Sequence, residues 1–215
     1  GIHRTPQKRT GSLNSFLSAL ASDRPVPAGG SAAAAAVAMA AGLVEKSARL
    51  STAQWIGASN VGKRAAVLRK LAAILVDADA TAYTDYVKAL RSARGLHTAE
   101  RERILSPTRE RIVEVPLTIT RAAAEVAELA VMIAIHGNPN LRSDATVAAH
   151  LAAAAAQSAA TTLAANLPAA SDDARLAEAR RLASEASARA RPLHARGRAG
   201  GRGRGRARSR GSGRR

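Results

Sequence analysis

The chain of 215 residues contains no cysteine, which excludes a disulfide framework and a metal site built from thiolates. Aromatic residues make up only 2% of the sequence, so a hydrophobic core has to be built from alanine, leucine, valine and isoleucine. Such a core favours helices, because alanine and leucine lose little conformational freedom in a helix. The absence of cysteine also fits a reducing compartment, and we expect a cytoplasmic protein.

Long apolar runs are missing as well. The uncharged stretch 28–44 is shorter than the roughly 20 residues that a membrane-spanning helix needs. The first 20 residues lack the continuous apolar segment of a secretory signal. The five histidines are scattered, and no two of them have the spacing of a metal pair on one helix. We therefore expect no membrane insertion and no metal site.

Positive charge is abundant but unevenly placed. The formal net charge is +17, and from residue 189 onward the chain carries 11 arginines and no acidic residue. The segment 195–215 has no apolar residue larger than alanine, so it cannot bury enough surface to fold. We interpret 191–215 as a disordered Arg/Gly-rich tail, which is either a solvated extension without a selected function or a phosphate-binding arm.

Apolar periodicity and the positions of proline and glycine predict a string of helices and no strand. The predicted helices are 12–21, 31–50, 62–94, 101–113, 117–135, 143–166 and 172–190. Pro107 is expected to interrupt the fourth helix, and Ser31 to cap the second at its start. The fold class is therefore an all-α bundle, with a flexible segment 1–11, a helical domain 12–190 and the tail 191–215.

The stretch PVPAGGSAAAAAVAMAAGLVEK, residues 25–46, places two glycines and a serine before an alanine-rich helix. Gly29 and Gly30 allow the backbone to come close to a ligand or a neighbouring helix. Ser31 lies where the free N–H groups of the helix start point outward, which suits an anion or a carbonyl. An ordinary loop followed by a buried helix explains the stretch equally well. The alanines would also let a second helix pack closely.

A second candidate lies in the stretch LVDADATAYTDY. Asp79 falls on the apolar stripe of the predicted helix, one turn after Leu75 and one turn before Tyr83. Asp77 faces about 200° away, towards solvent. A carboxylate on a core-facing stripe costs free energy unless it is paired, which makes Asp79 a site candidate. An acid at the edge of the stripe, bonded to a neighbouring helix, is the other interpretation.

The loop GNPNLRSD carries a third set of polar residues, and Ser143 or Asp144 can cap the helix that follows it. Capping alone would explain both residues.

The order of these motifs resembles the cyclodeaminase/cyclohydrolase family. That family comprises the C-terminal domain of formiminotransferase-cyclodeaminase and free-standing methenyltetrahydrofolate cyclohydrolases. The resemblance covers about residues 12–190. It is carried by PVPAGGS at 25–31, DADATAY at 77–83, EVPL at 114–117, GN at 137–138, SD at 143–144 and NLP at 166–168.

The resemblance implies a bundle of long antiparallel helices that forms a homodimer through its alanine-rich helices. It also implies action on one-carbon tetrahydrofolates, with the folate as substrate and no further cofactor. The family either closes 5-formiminotetrahydrofolate to 5,10-methenyltetrahydrofolate with loss of ammonia, or interconverts the methenyl and 10-formyl forms with water. Both reactions handle a cationic carbon that a fixed carboxylate can stabilise while it relays a proton.

Matching positions carry the family's roles onto this sequence. The catalytic residues would be Asp79, as the acid and base, and Asp144, which would support Asp79 or help to bind the substrate. The residues expected to bind the folate are Gly29, Gly30, Ser31, Tyr83, Arg94, Asn138, Ser143 and Asn166.

Three positions depart from the family pattern. Ala28 replaces a glycine, Ala93 and Arg94 replace Pro-Lys, and Thr162 replaces an asparagine. Because of these substitutions, an inactive or repurposed member of the family is an alternative interpretation. The alternative function is a non-catalytic helical dimer whose arginine-rich tail binds nucleic acid without sequence specificity.

Overall fold

Helices account for nearly all of the regular structure. The structure is a computed structural model that describes residues 13–169 and 171–199, and no strand occurs among them. The helices are α1 (Leu13–Leu20), α2 (Gly29–Arg49), α3 (Ala58–Ser92), α4 (Thr98–His136), α5 (Arg142–Ala165) and α6 (Ala174–Ala199), with a short 3₁₀ helix at Pro139–Leu141. The predicted all-α class is confirmed.

Helix α4 packs against α2, α3, α5 and α6, and helix α5 packs against α2, α4 and α6. Its buried residues are nine alanines and Leu163. Small side chains let neighbouring helices approach closely, so the alanine-rich sequence produces a core of tightly packed helices with few large residues. Each alanine buries little apolar area, and the core therefore spans five helices, α2 to α6.

Helices α2 and α5 are antiparallel. Gly29 at the start of α2 lies beside Thr162 near the end of α5. At the other end of the pair, Lys46 of α2 forms an ion pair with Asp144 in the first turn of α5, with 2.9 Å between Nζ and Oδ2. We call these the Gly29 end and the Lys46 end of the bundle.

Helix α4 runs without interruption through Pro107 and Pro116, so the prediction of two helices is wrong. A proline has no N–H, which leaves the carbonyl four residues earlier without its helical partner. For Pro116 that carbonyl belongs to Ile112, and the side-chain amide of Asn166 donates to it at 2.6 Å. Pro116 and Leu117 are also buried in the core, so tertiary contacts offset the local penalty.

Helix α2 begins two residues before its predicted cap. Ala28 occupies the N-cap position and makes no side-chain capping bond. The predicted cap, Ser31, lies inside the first turn, where its hydroxyl points across to α3. The prediction of Ser31 as the N-cap is therefore wrong.

The C-terminal helix α6 extends to Ala199, past the predicted end at Ala190, so the first part of the predicted tail is helical. Residues 1–11 and 200–215, which carry the rest of the two predicted terminal segments, lie outside the described residues. Within the described part of the chain, no helix combines the length and apolar character needed to cross a membrane.

Candidate active site

The first turn of α2 comes unusually close to α3. A methyl group on Gly30 would overlap the carboxyl group of Asp79 and come within 2.7 Å of its Oδ2 atom. No residue other than glycine fits at this point unless the Asp79 side chain or the backbone shifts. The glycine predicted to allow a close approach therefore does so towards the predicted catalytic acid.

Ser31 binds Asp79 from the same turn. Its hydroxyl oxygen lies 3.1 Å from Asp79 Oδ2 and 2.9 Å from the backbone carbonyl oxygen of Val76. The backbone N–H of Ser31 also donates to the Asp79 carboxyl. Because α2 lacks a capping side chain of its own, Asp79 accepts a free amide of the helix start from another helix.

The environment of Asp79 favours the protonated acid. Burial raises the pKa of the Asp79 carboxyl, and the hydrogen bonds from Ser31 offset part of that rise. Asp77, two residues earlier, is exposed on the other side of α3, as predicted. A raised pKa makes the protonated form of a carboxyl easier to reach, which suits a group that both accepts and donates a proton.

Asp79 faces a cavity of about 240 Å³ at the Gly29 end of the bundle. One part of the wall is apolar and comes from the segment before α2 and from α4, including Val26, Ile112 and Val115. Besides Asp79, the polar side chains of the lining are Tyr83, Thr162 and Asn166. No basic side chain belongs to the described lining, so a cation inside would meet one carboxyl group and no like charge.

The side chain of Asn166 is oriented by the proline in α4. Its Nδ2 atom donates to the carbonyl oxygen of Ile112, the group that Pro116 leaves without a helical partner. This bond fixes which side of the amide is nitrogen, because a carbonyl accepts only from a donor. Two motifs, EVPL at 114–117 and NLP at 166–168, thus meet at the cavity wall, and both Pro116 and Asn166 line it.

The structure brings together the residues predicted around the two glycines and Asp79. Gly29, Gly30, Tyr83 and Asn166 line the cavity with Asp79, while Ser31 is buried directly behind the carboxyl group. Tyr83 is 41% exposed and lies at the cavity mouth, one turn after Asp79 on α3.

Asp144 lies at the opposite end of α2. It pairs with Lys46, which follows Gly30 by 16 residues, a distance of roughly 24 Å along a helix. Within one chain Asp144 is therefore not a partner of Asp79, contrary to the prediction. Helix α5 starts at Arg142, before Ser143 and Asp144, so neither residue is its N-cap.

The remaining predicted binding residues are also outside the cavity. Asn138 shapes the Lys46 end, where its backbone N–H donates to the buried Ser51 hydroxyl at 2.8 Å and its side chain caps the 3₁₀ helix. Ser143 is exposed in the first turn of α5. Arg94 is exposed in the turn after α3, about four helical turns beyond Asp79.

Sequence reasoning missed the roles of Pro116 and Thr162. The missing N–H of a proline inside a helix signals an unpaired carbonyl at Ile112, but not the residue that binds it. The sequence marks Thr162 only as a departure from the family pattern, whereas its side chain lies next to Gly29 at the cavity. Among the described residues, no group of three or more His, Asp or Glu side chains could hold a metal ion.

Comparison with known proteins extends these observations. The family model described as formiminotransferase-cyclodeaminase matches residues 12–185. Among solved structures, formiminotetrahydrofolate cyclodeaminase from Thermotoga maritima is similar, with a TM-score of 0.71 and 24% identity over 87% of this chain and 93% of that one. This likeness shows a shared fold. A search of the curated proteins finds no match to the chain.

Proposed function

The chain belongs to the formiminotransferase-cyclodeaminase family, and from this premise we propose that the Asp79 cavity is the active site of a folate one-carbon enzyme. Its reaction is the closure of 5-formiminotetrahydrofolate to 5,10-methenyltetrahydrofolate with release of ammonia. The same carboxyl could serve the hydrolysis of 5,10-methenyltetrahydrofolate to the 10-formyl compound. The observation that carries the proposal is a partly buried acid with a raised pKa at the wall of an otherwise neutral cavity.

The chemistry needs one group that both accepts and donates a proton. The formimino group reacts in its protonated, amidinium form, in which the terminal nitrogen carries two hydrogens. The N10 nitrogen of the folate attacks the formimino carbon and loses its proton, and the terminal nitrogen gains a third hydrogen before it leaves as ammonia. Asp79 accepts the first proton and supplies the second. Its carboxylate form also stabilises the cationic carbon that the closure produces, and the cavity holds no competing positive charge in its described lining.

Ser31 supports both protonation states of Asp79. When the carboxyl is ionised, the Ser31 hydroxyl donates to it. When it is protonated, the acid can donate to the Ser31 oxygen, whose own proton then goes to the Val76 carbonyl. The carboxyl can therefore change its protonation state without leaving its neighbours unsatisfied.

The size of the cavity defines which part of the folate it holds. A volume of about 240 Å³ is below the range of roughly 300–1,000 Å³ usual for whole drug-sized ligands. We propose that the cavity takes the pteridine end with the reacting carbon, and that the aminobenzoyl-glutamate part extends past Tyr83 towards solvent.

A direct experiment tests the function. Purified protein is given 5-formiminotetrahydrofolate and 5,10-methenyltetrahydrofolate in separate assays, and absorbance follows formation or loss of the methenyl group. Thermal unfolding with each folate measures binding, because a ligand that binds the native state raises its stability. We expect turnover of at least one substrate and a rise in the melting temperature with it. Absence of both responses would refute a folate function.

We also propose that the protein forms a homodimer, as the family resemblance implies, and that it is cytoplasmic, as the absence of cysteine favours. An open groove of small side chains runs between α2 and α5, lined on the outer surface by Ala32, Ala36, Leu151 and Ala154. This groove shares Gly29 and Thr162 with the active cavity. A partner subunit in the groove would therefore lie next to the proposed active site.

A further inference from the structure

A second cleft, of about 610 Å³, lies between α5 and α6. Helix α6 lines it with Arg180, Ser184, Ser187 and Arg191, which are spaced by four, three and four residues and so share one face of the helix. The two arginines are separated by three helical turns, or roughly 16 Å. The cleft therefore presents a polar strip with a positive charge at each end.

The arginines that face this cleft differ from the other described arginines of α6. Arg175 pairs with Asp173 and Glu110, while Arg181 and Arg189 both pair with Glu185. Arg180 and Arg191 have no carboxylate partner among the described residues, and the described lining of the cleft contains no acidic side chain. The described arginines of α6 outside the cleft are thus paired with carboxylates, whereas the two arginines that line the cleft are not.

Neutral hydrogen-bonding groups lie between the two charges. Gln157 of α5 donates from Nε2 to the Ser187 hydroxyl at 2.7 Å, and Ser187 donates to the Ala183 carbonyl. Ser184 is exposed in the cleft, and Thr161 lines its α5 side. Hydroxyl and amide groups are the usual companions of arginine in contacts with phosphate oxygens.

We propose that this cleft binds the sugar–phosphate backbone of single-stranded nucleic acid. Two open arginines about 16 Å apart suit a chain of regularly spaced anionic groups better than one small anion. A groove between two helices is concave and can hold a flexible single strand. The grooves of a duplex, by contrast, are entered by protruding helices or strands. The described lining of the cleft has no aromatic side chain to stack on bases, so binding is independent of sequence.

The sequence beyond α6 continues the same positive charge. Residues 200–215 contain seven arginines and no acidic residue, and they follow directly from the helix that carries Arg180 and Arg191. The chain therefore carries further positive charge that attracts polyanions to the protein, while the cleft supplies the folded binding surface.

The test compares two double variants of the full chain that lose the same charge from the same helix. Arg180→Gln with Arg191→Gln removes the cleft arginines, whereas Arg181→Gln with Arg189→Gln removes the arginines paired with Glu185. Fluorescence anisotropy measures binding of labelled 20-nucleotide oligouridylate and oligothymidylate at several salt concentrations. Circular dichroism checks that both variants retain the helical fold.

We expect the cleft variant to bind at least about tenfold more weakly at 0.1 M salt. The plot of the logarithm of the association constant against the logarithm of salt concentration should become shallower by about 1.4. Two phosphate contacts are lost, and each contact with a single strand contributes about 0.7 to the slope. The control variant should bind within about threefold of the wild type. Equal affinity for the two oligonucleotides indicates that the phosphate backbone alone is read.

Three outcomes would overturn the proposal. Equal losses in both double variants would mean that only net charge matters, and absence of oligonucleotide binding by the wild type would exclude the function. The third outcome comes from poly-γ-glutamate as a competing probe: if the cleft variant loses affinity for it but not for the oligonucleotides, the cleft binds carboxylates. Folate turnover should be unchanged in both variants, so this test is independent of the proposed enzyme activity.

Discussion

Ser31 and Asp79 are joined by a hydrogen bond of 3.1 Å between residues 48 positions apart in the chain. The bond links the first turn of α2 to the middle of α3, at a point where any side chain on residue 30 would overlap the Asp79 carboxyl group. It gives Asp79 two roles. The carboxyl satisfies a free amide of the α2 start, and it is also the acid that faces the cavity.

The catalytic role of Asp79 can be separated from a structural one by two matched substitutions. Asp79→Asn keeps the size of the side chain and an oxygen that accepts from Ser31, but it removes the ionisable group that gains and loses a proton. We expect turnover to fall by roughly 10²–10⁴, the usual contribution of a general acid and base. Asp77→Asn, on the exposed side of α3, should change turnover little. Equal losses in steady-state assays of the two variants would make Asp79 structural.

The raised pKa of Asp79 predicts a specific dependence of stability on pH. Because the folded protein holds this proton more tightly than the unfolded chain, the stabilisation is complete below the unfolded-state pKa of about 3.9. It is lost as the pH rises through the folded-state pKa. Urea unfolding at several pH values should therefore show wild type losing stability relative to Asp79→Asn across this window. A wild-type stability that stays constant or rises with pH relative to that of Asp79→Asn would contradict the prediction.

Gly30 and Gly42 provide a matched pair within α2. A methyl group at Gly30 would overlap the Asp79 carboxyl, whereas one at Gly42 would make an ordinary contact of 3.5 Å with Arg69. We expect Gly30→Ala to destabilise the protein by about 1–3 kcal/mol and to reduce turnover. Gly42→Ala should be neutral or stabilise the helix by up to about 1 kcal/mol. Chemical denaturation of both variants measures the contrast, and similar effects at the two sites would contradict it.

The link between Pro116 and Asn166 predicts coupling between two substitutions. Asn166→Ala leaves the Ile112 carbonyl without a partner and should cost about 1–3 kcal/mol of stability. Pro116→Ala restores a backbone N–H that can bind this carbonyl. Asn166→Ala should then cost clearly less in the Pro116→Ala background. A double-mutant cycle from urea unfolding measures this coupling, and additive effects would show that the Asn166 bond does not compensate for the proline.

The proposed dimer can be tested on the outer and inner faces of α2. Ala36 lines the open groove beside α5, while Ala40 is fully buried within the bundle. Ala36→Leu should weaken self-association without unfolding the chain. Ala40→Leu should overpack the core and cost about 1–3 kcal/mol of stability. Light scattering across micromolar concentrations reports the mass, and a monomeric wild type would refute the dimer.

The sequence by itself determined the helical class and the faces of the helices. Both follow from local spacing, since residues three and four apart share a side of a helix whatever packs against it. This is why Asp79 was placed on the buried stripe and Asp77 on the exposed side, and why Gly29 and Gly30 were expected at a close approach. Each of these predictions depends on residues within a few turns of one another.

Tertiary structure decided where helices end and which motifs meet. Pro116 would break an isolated helix, but Asn166, 50 residues later, satisfies the carbonyl that it exposes. Ser31 would cap an isolated helix, but Asp79 accepts an amide of that helix start from α3 instead. Asp144 and Asp79 both lie in motifs of the family. The antiparallel packing of α2 and α5 nevertheless places Asp144 beside Lys46, at the end of the bundle opposite Asp79. The order of motifs along the chain does not determine the distances between them in space, because helix packing decides which helix ends lie together.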